Sequence, residues 1–431
     1  MFYDHPAMPC GFFAQNAERG GSHLRAPCGE RRKVLCIRAA YAIIETGEGA
    51  AYRNGAAHDP KKVHPRCLCK ICLKNRMQRG FRTGSEGGIR MYDRYLVTGA
   101  TGFLGRAVLR ELAVCGASAR ALILPDDPYA KLLPAGVQPV FGDVLDERSL
   151  TAFFAGAGKQ TCVIHCAGVI TVASDPGSML RAVNVQGTGN IIRKCVECNV
   201  GRLVYVSSVH AIPKKPKGQT ITEDCTFSED LVDGAYAKSK ATAAKMVLDA
   251  AANGLDASVV FPSGLIGPED FRGGSFTTMA KSFLQGKLPF AVRGGYDFAD
   301  VRDVASGILG CAAGGKPGEG YILSGRYITI RKMLGIIGKV AGSRRRPVCL
   351  PLGLARFAAF FYEKKCIREK KPLFFTPYAV AVLGSNGQFS HKKAAESFHF
   401  RVRPIEETLH DMTVWLLQQE RNGLLDSKKK R

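Results

Sequence analysis

Tyr236 and Lys240 stand four residues apart in Tyr236-Ala237-Lys238-Ser239-Lys240, with Ser207-Ser208 upstream of them. Residues at this spacing share one face of a helix. A phenol beside an ammonium makes an acid–base pair. Free tyrosine titrates near pH 10 and is a poor base at neutral pH unless its anion is stabilised. Neighbouring positive charge in a desolvated cleft would have to lower that value by roughly two to three units, or roughly 3 to 4 kcal/mol. Such a group hands a proton to an oxygen that gains charge, or takes one from a hydroxyl that loses hydride.

A carrier for that hydride is implied by Thr98-Gly99-Ala100-Thr101-Gly102-Phe103-Leu104-Gly105, which directly follows the apolar Tyr95-Leu96-Val97. Phe103 to Cys115 has apolar residues at helical spacing, and Gly116 ends it. In a strand–turn–helix unit of this kind a dinucleotide pyrophosphate sits on the helix N-terminus, where unpaired N–H groups and the helix dipole favour negative charge. The candidate cofactor residues here are Gly99, Thr101, Gly102, Phe103, Leu104 and Gly105. A glycine triplet alone recurs by chance. In order with a strand ending in Ser207-Ser208 and a helix bearing Tyr236 and Lys240, it points to hydride transfer, with Tyr236 as the acid/base and a positive nicotinamide helping Lys240 to acidify it.

These residues need a scaffold, and the pattern from Met91 supplies one. Strand-like Tyr95–Val97, Ala119–Leu124, Val137–Phe141, Cys162–His165, Arg202–Val206 and Ala257–Phe261 alternate with helical Phe103–Cys115, Ser149–Phe154, Ala182–Asn199 and Ala235–Ala252. Strands separated by helices form a parallel sheet with right-handed crossovers, and ligands bind beyond the carboxyl ends of its strands. The expectation is an α/β chain: a Rossmann doubly wound parallel sheet with a smaller C-terminal substrate-binding lobe. The boundaries are 1–90 for a leader, 91–266 for the NAD(P)-binding domain, and 267–431 mainly for the lobe. The lobe includes a return segment at about 296–313, where Asp303 is expected to cap a helix Val304–Ala313, and a basic tail, Lys428–Arg431, expected to be disordered.

Further motifs follow in order: Gly142-Asp143, His165-Cys166-Ala167-Gly168, Asn184-Val185 with Gly187-Thr188, and Phe261-Pro262-Ser263-Gly264-Leu265-Ile266-Gly267-Pro268. On these and the glycine run, Met91 to about Leu416 resembles an extended short-chain dehydrogenase/reductase. It is most similar to the dihydroflavonol-reductase and 3β-hydroxysteroid-dehydrogenase-like branch of the NAD-dependent epimerase/dehydratase family. The resemblance implies that Asp143, with Val144 beside it, meets the adenine amino group. It also implies that Ala167, Gly168, Pro262 and Ser263 line the cofactor and that Asn184 supports the site through backbone contacts. Lys240 would hold the nicotinamide ribose as well as act on Tyr236. Ser208, the second serine, is the implied donor to the substrate oxygen, with Ser207 as the alternative. Sugar-dehydrating relatives carry a carboxylate near His210, so this residue is a substrate contact or a loop histidine. His165 reads as structural.

Cofactor choice is usually set at the end of the second strand, where an acidic side chain bonds the ribose hydroxyls and arginine attracts a 2′-phosphate. The resembled reductases often carry arginine where this chain has Leu124, and Asp126 and Asp127 follow. The lean is to NAD over NADP, with Arg106 as a counterargument. Sugar-nucleotide epimerases commonly place asparagine before the proline occupied here by Pro262, and this chain has Phe261. The expected substrate is therefore an apolar carbonyl or hydroxyl compound. A nucleotide-sugar epimerase or dehydratase is the alternative, and a non-catalytic dinucleotide-binding redox sensor a further one, although such sensors tend to lose the tyrosine or lysine present here.

The 431 residues carry a net charge of +24, of which residues 1–90 contribute +9 and the remainder +15. This reads as a solvated basic surface, or as attraction to anionic ligands or head groups. No aromatic–basic stripe or reading helix argues for nucleic acid. Fifteen cysteines without a paired framework, and no secretory leader, suit reduced thiols in a cytoplasm. The nearest approach to a membrane span, Pro347–Tyr362, is interrupted by Pro351, Gly353 and Arg356. Leu350–Tyr362 followed by Lys364, Lys365, Arg368, Lys370 and Lys371 is a lobe helix with a basic exit, or an interfacial segment giving peripheral membrane contact. A homodimer is compatible with the sequence. In the leader, His64, Cys67, Cys69 and Cys72 crowd three thiols into six residues, unlike the two ligand pairs of a zinc site, so no metal is expected. Glu86-Gly87-Gly88 is encodable by a purine-rich ribosome-binding stretch just before Met91. The leader is accordingly read as upstream sequence misassigned to the chain, or else as a disordered basic extension.

Overall fold

Strands that are apolar along their whole length need cover on both faces, and helices supply it. The computed structural model describes residues 92–171, 177–288, 290–345, 347–369 and 375–429, all within one compact unit. The leader, with Met91 and the His64, Cys67, Cys69 and Cys72 cluster, lies outside the described residues, as do Lys370, Lys371 and residues 430–431.

The first half runs β1 (Arg94–Thr98), α1 (Phe103–Val114), β2 (Ala119–Ile123), β3 (Gln138–Phe141), α2 (Glu147–Phe153) and β4 (Thr161–His165). Next come α3 (Ser178–Arg181), a π-helical turn (Ala182–Gly187), α4 (Thr188–Glu197), β5 (Arg202–Val206), α5 (Ala235–Ala252) and β6 (Ala257–Pro262). The rest comprises β7 (Gly264–Ile266), α6 (Ser275–Leu284), β8 (Phe290–Val292), β9 (Gly295–Asp300), α7 (Val301–Gly314), β10 (Gly320–Leu323), β11 (Arg326–Thr329) and α8 (Ile330–Val340). It ends with β12 (Val348–Leu350), α9 (Leu352–Arg368), α10 (Pro377–Leu383), α11 (Lys392–Phe398) and α12 (Ile405–Lys429).

Seven strands form one parallel sheet in the order β10-β6-β5-β4-β1-β2-β3. This is the doubly wound Rossmann arrangement, with its switch point between β1 and β4. Successive side chains on a strand face opposite ways. Leu96, Val163 and Leu203 therefore pack with Ile191, Ala241 and Val247 of α4 and α5, while Val97, Ile164 and Val204 pack with Val108 of α1 and Val304 and Ile308 of α7. Beyond the sheet, β11-β9-β7 and β12-β8 make two small sheets, and α8 packs against α12.

Three expectations need correction. The return segment extends further, because β10 adds the seventh strand beside β6. Asp303 is not the cap: α7 begins at Val301, and Asp300 accepts the Arg302 N–H at 2.8 Å, while Asp303 in the first turn accepts Arg403 N–H and Nε at 2.8 Å each. An aspartate one turn upstream had the extended backbone a cap requires. The C-terminal helix continues through Lys429, so the start of the basic tail is helical instead of disordered. Once nucleated, a helix propagates at one bond per residue, and no proline stops this one.

Candidate active site

The glycine turn between β1 and α1 is tight because nothing larger fits. Gly99 has φ +63°, and a Cβ there would stand 2.7 Å from the Ala167 nitrogen; a Cβ on Gly105 would overlap the Gly99 carbonyl. α1 has no side-chain cap on its N-terminus, which leaves first-turn N–H groups to face an anion. This cradle fits a dinucleotide pyrophosphate. Thr98 links it to the next strand: its hydroxyl accepts the Ala167 N–H at 3.1 Å and lies 2.7 Å from His165 Nδ1. The other nitrogen of His165 meets the Thr188 hydroxyl at 3.0 Å. Burial, aided by Lys240, pushes His165 down to about 3, so it is a neutral interior bridge.

Asp143 follows β3 and accepts the Leu145 N–H at 3.0 Å on Oδ1. Val144 beside it is buried against Gly187 in the π-helical turn. That turn also presents Asn184, whose Oδ1 accepts the Val169 N–H at 2.7 Å. Its Nδ2 donates to the Val169 carbonyl and to Ser239 Oγ, each at 3.0 Å. The loop after β4 is thereby tied to α5, the helix that carries Tyr236 and Lys240. Pro262 ends β6, and Ser263 just beyond it is buried.

Tyr236 lies in the first turn of α5, with the Ser208 side chain as a polar neighbour of its hydroxyl. Lys240 lies one turn on, 4% exposed, donating from Nζ to the Val206 carbonyl at 3.0 Å and to the Tyr205 hydroxyl at 3.3 Å. Gly168 faces it, since a Cβ there would come within 3.1 Å of Nζ. Burial lowers the Lys240 ammonium to about 8 and pushes the Tyr236 phenol up to about 12, with neighbouring Ser208 opposing that rise. The protein's own groups raise this phenol; the acidification expected from the sequence also calls on a positive nicotinamide. Desolvation of the phenol dominates, and Nζ is bonded to Val206 and Tyr205. Ser207, the alternative hydroxyl, is bonded instead to the Lys240 carbonyl at 3.3 Å.

His210 faces the site. Its ring centroid lies 5.9 Å from that of Tyr236 and 5.9 Å from that of Tyr296, on which it stacks. Its Nδ1 is 3.3 Å from the Tyr378 hydroxyl and its Nε2 3.5 Å from that of Tyr296. Burial holds it near 4, and hence neutral. Sequence reasoning missed Tyr296 and Tyr378. The first sits in a segment read only as the return to the sheet, and the second lies 142 residues from Tyr236 with no local motif. Beside them is a cavity of about 260 Å³ bordered by His210, Tyr296, Ile221, Val232, Val382 and Phe389, with Lys214 and Asp233 paired at 3.2 Å on its polar edge.

At the end of β2, Leu124 is exposed, and Asp127 accepts the Thr101 hydroxyl at 2.6 Å, the Tyr129 N–H at 3.0 Å and Arg272 Nη2 at 2.5 Å. Burial works to raise this carboxyl, but the three donors outweigh it and hold it below its ordinary value. Arg106 is buried over the Phe271 ring and bonded to the Glu269 carbonyl, which removes it as a cofactor ligand. Among the described residues no helix is long and apolar enough to cross a membrane.

A parallel sheet, an uncapped glycine turn at its switch point and a Tyr–Ser–Lys group at the strand ends define a dinucleotide-dependent oxidoreductase. Residues 95–323 match the family model for the NAD dependent epimerase/dehydratase family. A relative named sterol demethylase protein B, from Methylococcus capsulatus, is 30% identical over 75% of this chain and 98% of its own. A putative dihydroflavonol 4-reductase from Synechocystis is 29% identical over 76% of this chain and 95% of its own. The crystal structure of gox2253 superposes with a TM-score of 0.66 at 29% identity, over 76% of this chain and 98% of that one. The chain belongs to the NAD-dependent epimerase/dehydratase family and is an NAD(P)-dependent oxidoreductase of the extended short-chain dehydrogenase/reductase type, acting on a small molecule.

Proposed function

We propose that this enzyme moves hydride between NAD(H) and a carbonyl or hydroxyl carbon of an apolar ring compound, with Tyr236 as the acid/base. The observation that carries the reading is Tyr236 beside Ser208, with buried Lys240 one turn away. Bound at the glycine turn, the nicotinamide supplies or accepts the hydride. Gly99, Thr101, Gly102, Phe103, Leu104 and Gly105 would hold the pyrophosphate and ribose of the dinucleotide; Asp143 and Val144 would hold its adenine; Ala167, Gly168, Pro262 and Ser263 would flank the rest. Tyr236 keeps its proton at pH 7 and passes it to the substrate oxygen, which Ser208 also hydrogen-bonds. Lys240 stabilises the phenolate that remains and holds the nicotinamide ribose. His210 borders the substrate.

An apolar substrate is supported by Phe261, fully buried and stacked on Phe227 at 4.9 Å where a diphosphate ligand would need a polar group. Two relatives named for a sterol and a dihydroflavonol support the same class. The preference for NAD rests on the ionised Asp127 at the end of β2. The enzyme works in the cytoplasm, and the exposed face of α9 rests on an anionic membrane surface. Tyr236→Phe tests the chemistry. Turnover of ketones or alcohols should fall by about 10²–10⁴-fold, while NADH binding, followed by fluorescence, is retained. Full turnover by the variant would remove Tyr236 from the reaction.

A further inference from the structure

Asp127 and Arg272 are 145 residues apart in sequence and meet at the carboxyl end of β2. In sheets of this kind, that strand end faces the 2′-oxygen of the adenosine ribose. The Asp127 side chain is 4% exposed, anchored by the Thr101 hydroxyl and the Tyr129 N–H. Arg272 arrives from the opposite side, in the segment between β7 and α6, and its side chain is 45% exposed. Its guanidinium lies 4.7 Å from the Tyr129 ring centroid and donates to Thr101 Oγ1 at 3.0 Å as well as to Asp127. One place thus holds both a carboxylate and a guanidinium. The first accepts a ribose hydroxyl and repels phosphate; the second binds phosphate through paired N–H donors.

We propose that Arg272 is a 2′-phosphate-binding residue kept from that role by Asp127. The enzyme consequently takes NAD(H), and loss of the Asp127 charge alone converts the site to NADP(H). The carboxylate prevails because Thr101 and the Tyr129 N–H fix it within the fold, whereas Arg272, bonded to Thr101 and lying over the Tyr129 ring, keeps a side chain that is 45% exposed. The inference rests on the glycine turn being the dinucleotide site.

The test is direct titration of the purified full chain with NADH and NADPH, read by nicotinamide fluorescence. Wild type is compared with Asp127→Asn, Arg272→Ala and the double variant, and thermal melting confirms that each is folded. Asp127→Ser replaces the asparagine variant if that one does not fold. Asp127→Asn should tighten NADPH by about tenfold or more, the scale of a charge-assisted bond, and weaken NADH. The double variant should lose the NADPH gain. An unchanged NADPH affinity in Asp127→Asn, or a gain that survives Arg272→Ala, overturns the proposal. Failure of wild type to bind either nucleotide overturns the dinucleotide site and the proposal together.

Discussion

Burial places the two central groups of the site on opposite sides of their ordinary values: the Tyr236 phenol at about 12 and the Lys240 ammonium at about 8. For reduction of a carbonyl this is the useful direction for tyrosine, which stays protonated throughout the working range. Lysine behaves differently. Its charged form is lost as pH rises through about 8, and with it the charge that steadies the phenolate. The kcat/KM for carbonyl reduction is therefore expected to decline above about pH 8 with a single ionisation, measured as a steady-state pH profile. A profile flat to about pH 10, the ordinary lysine range, would remove Lys240 from that role. His165 and His210, both neutral, contribute no ionisation near neutrality.

The π-helical turn Ala182–Gly187 is the element whose register matters most. A helix widened by one residue re-aims the side chains beyond it, a feature common at functional sites. Here it aims Asn184 at both the loop after β4 and the helix carrying Tyr236. Sequence periodicity reads Ala182–Asn199 as one plain helix, because a single wide turn barely disturbs the apolar spacing. Asn184→Ala removes three hydrogen bonds and takes from the half-buried Val169 N–H and carbonyl the side chain that pairs them. A loss of about 2 kcal/mol is expected by denaturant titration, together with a fall in kcat larger than any change in NADH affinity. A variant as active and stable as wild type would reduce Asn184 to a bystander.

At the scale of the whole molecule, one buried ion fastens a crossover helix to the strands of the main sheet. Arg202 is 2% exposed and bonds Asp256, Ser258 Oγ at 2.8 Å, the Cys311 carbonyl at 3.0 Å and the Gly315 carbonyl at 2.8 Å, so the end of α7 is pinned to β5 and β6. Among the described residues, an apolar face elsewhere is exposed. On α9, Leu354, Phe357, Phe360, Phe361 and Ile367 are exposed beside Arg356, Lys364, Lys365 and Arg368. Apolar rings mixed with cations suit an anionic bilayer surface. The chain should sediment with phosphatidylcholine vesicles containing phosphatidylserine, less so in high salt, and Phe357→Glu with Phe361→Glu should abolish it. Retention in the supernatant with every vesicle would refute the membrane reading, and concentration-dependent self-association would assign the face to a second copy.

Local patterns carried most of the fold. The glycine turn, the strand–helix alternation and the Tyr236–Lys240 spacing are set by interactions within a few residues, and the parallel sheet follows from crossovers that have one favoured hand. What lay beyond the sequence was every contact between distant segments. Tyr378 on His210, Arg272 on Asp127 and Arg403 on Asp303 are brought together by packing, which leaves no periodic trace. The protonation states were also decided there. Spacing places an ammonium one turn from a phenol, but only the tertiary structure determines how much water each loses and which partners claim the ammonium, and those terms set the pKa values.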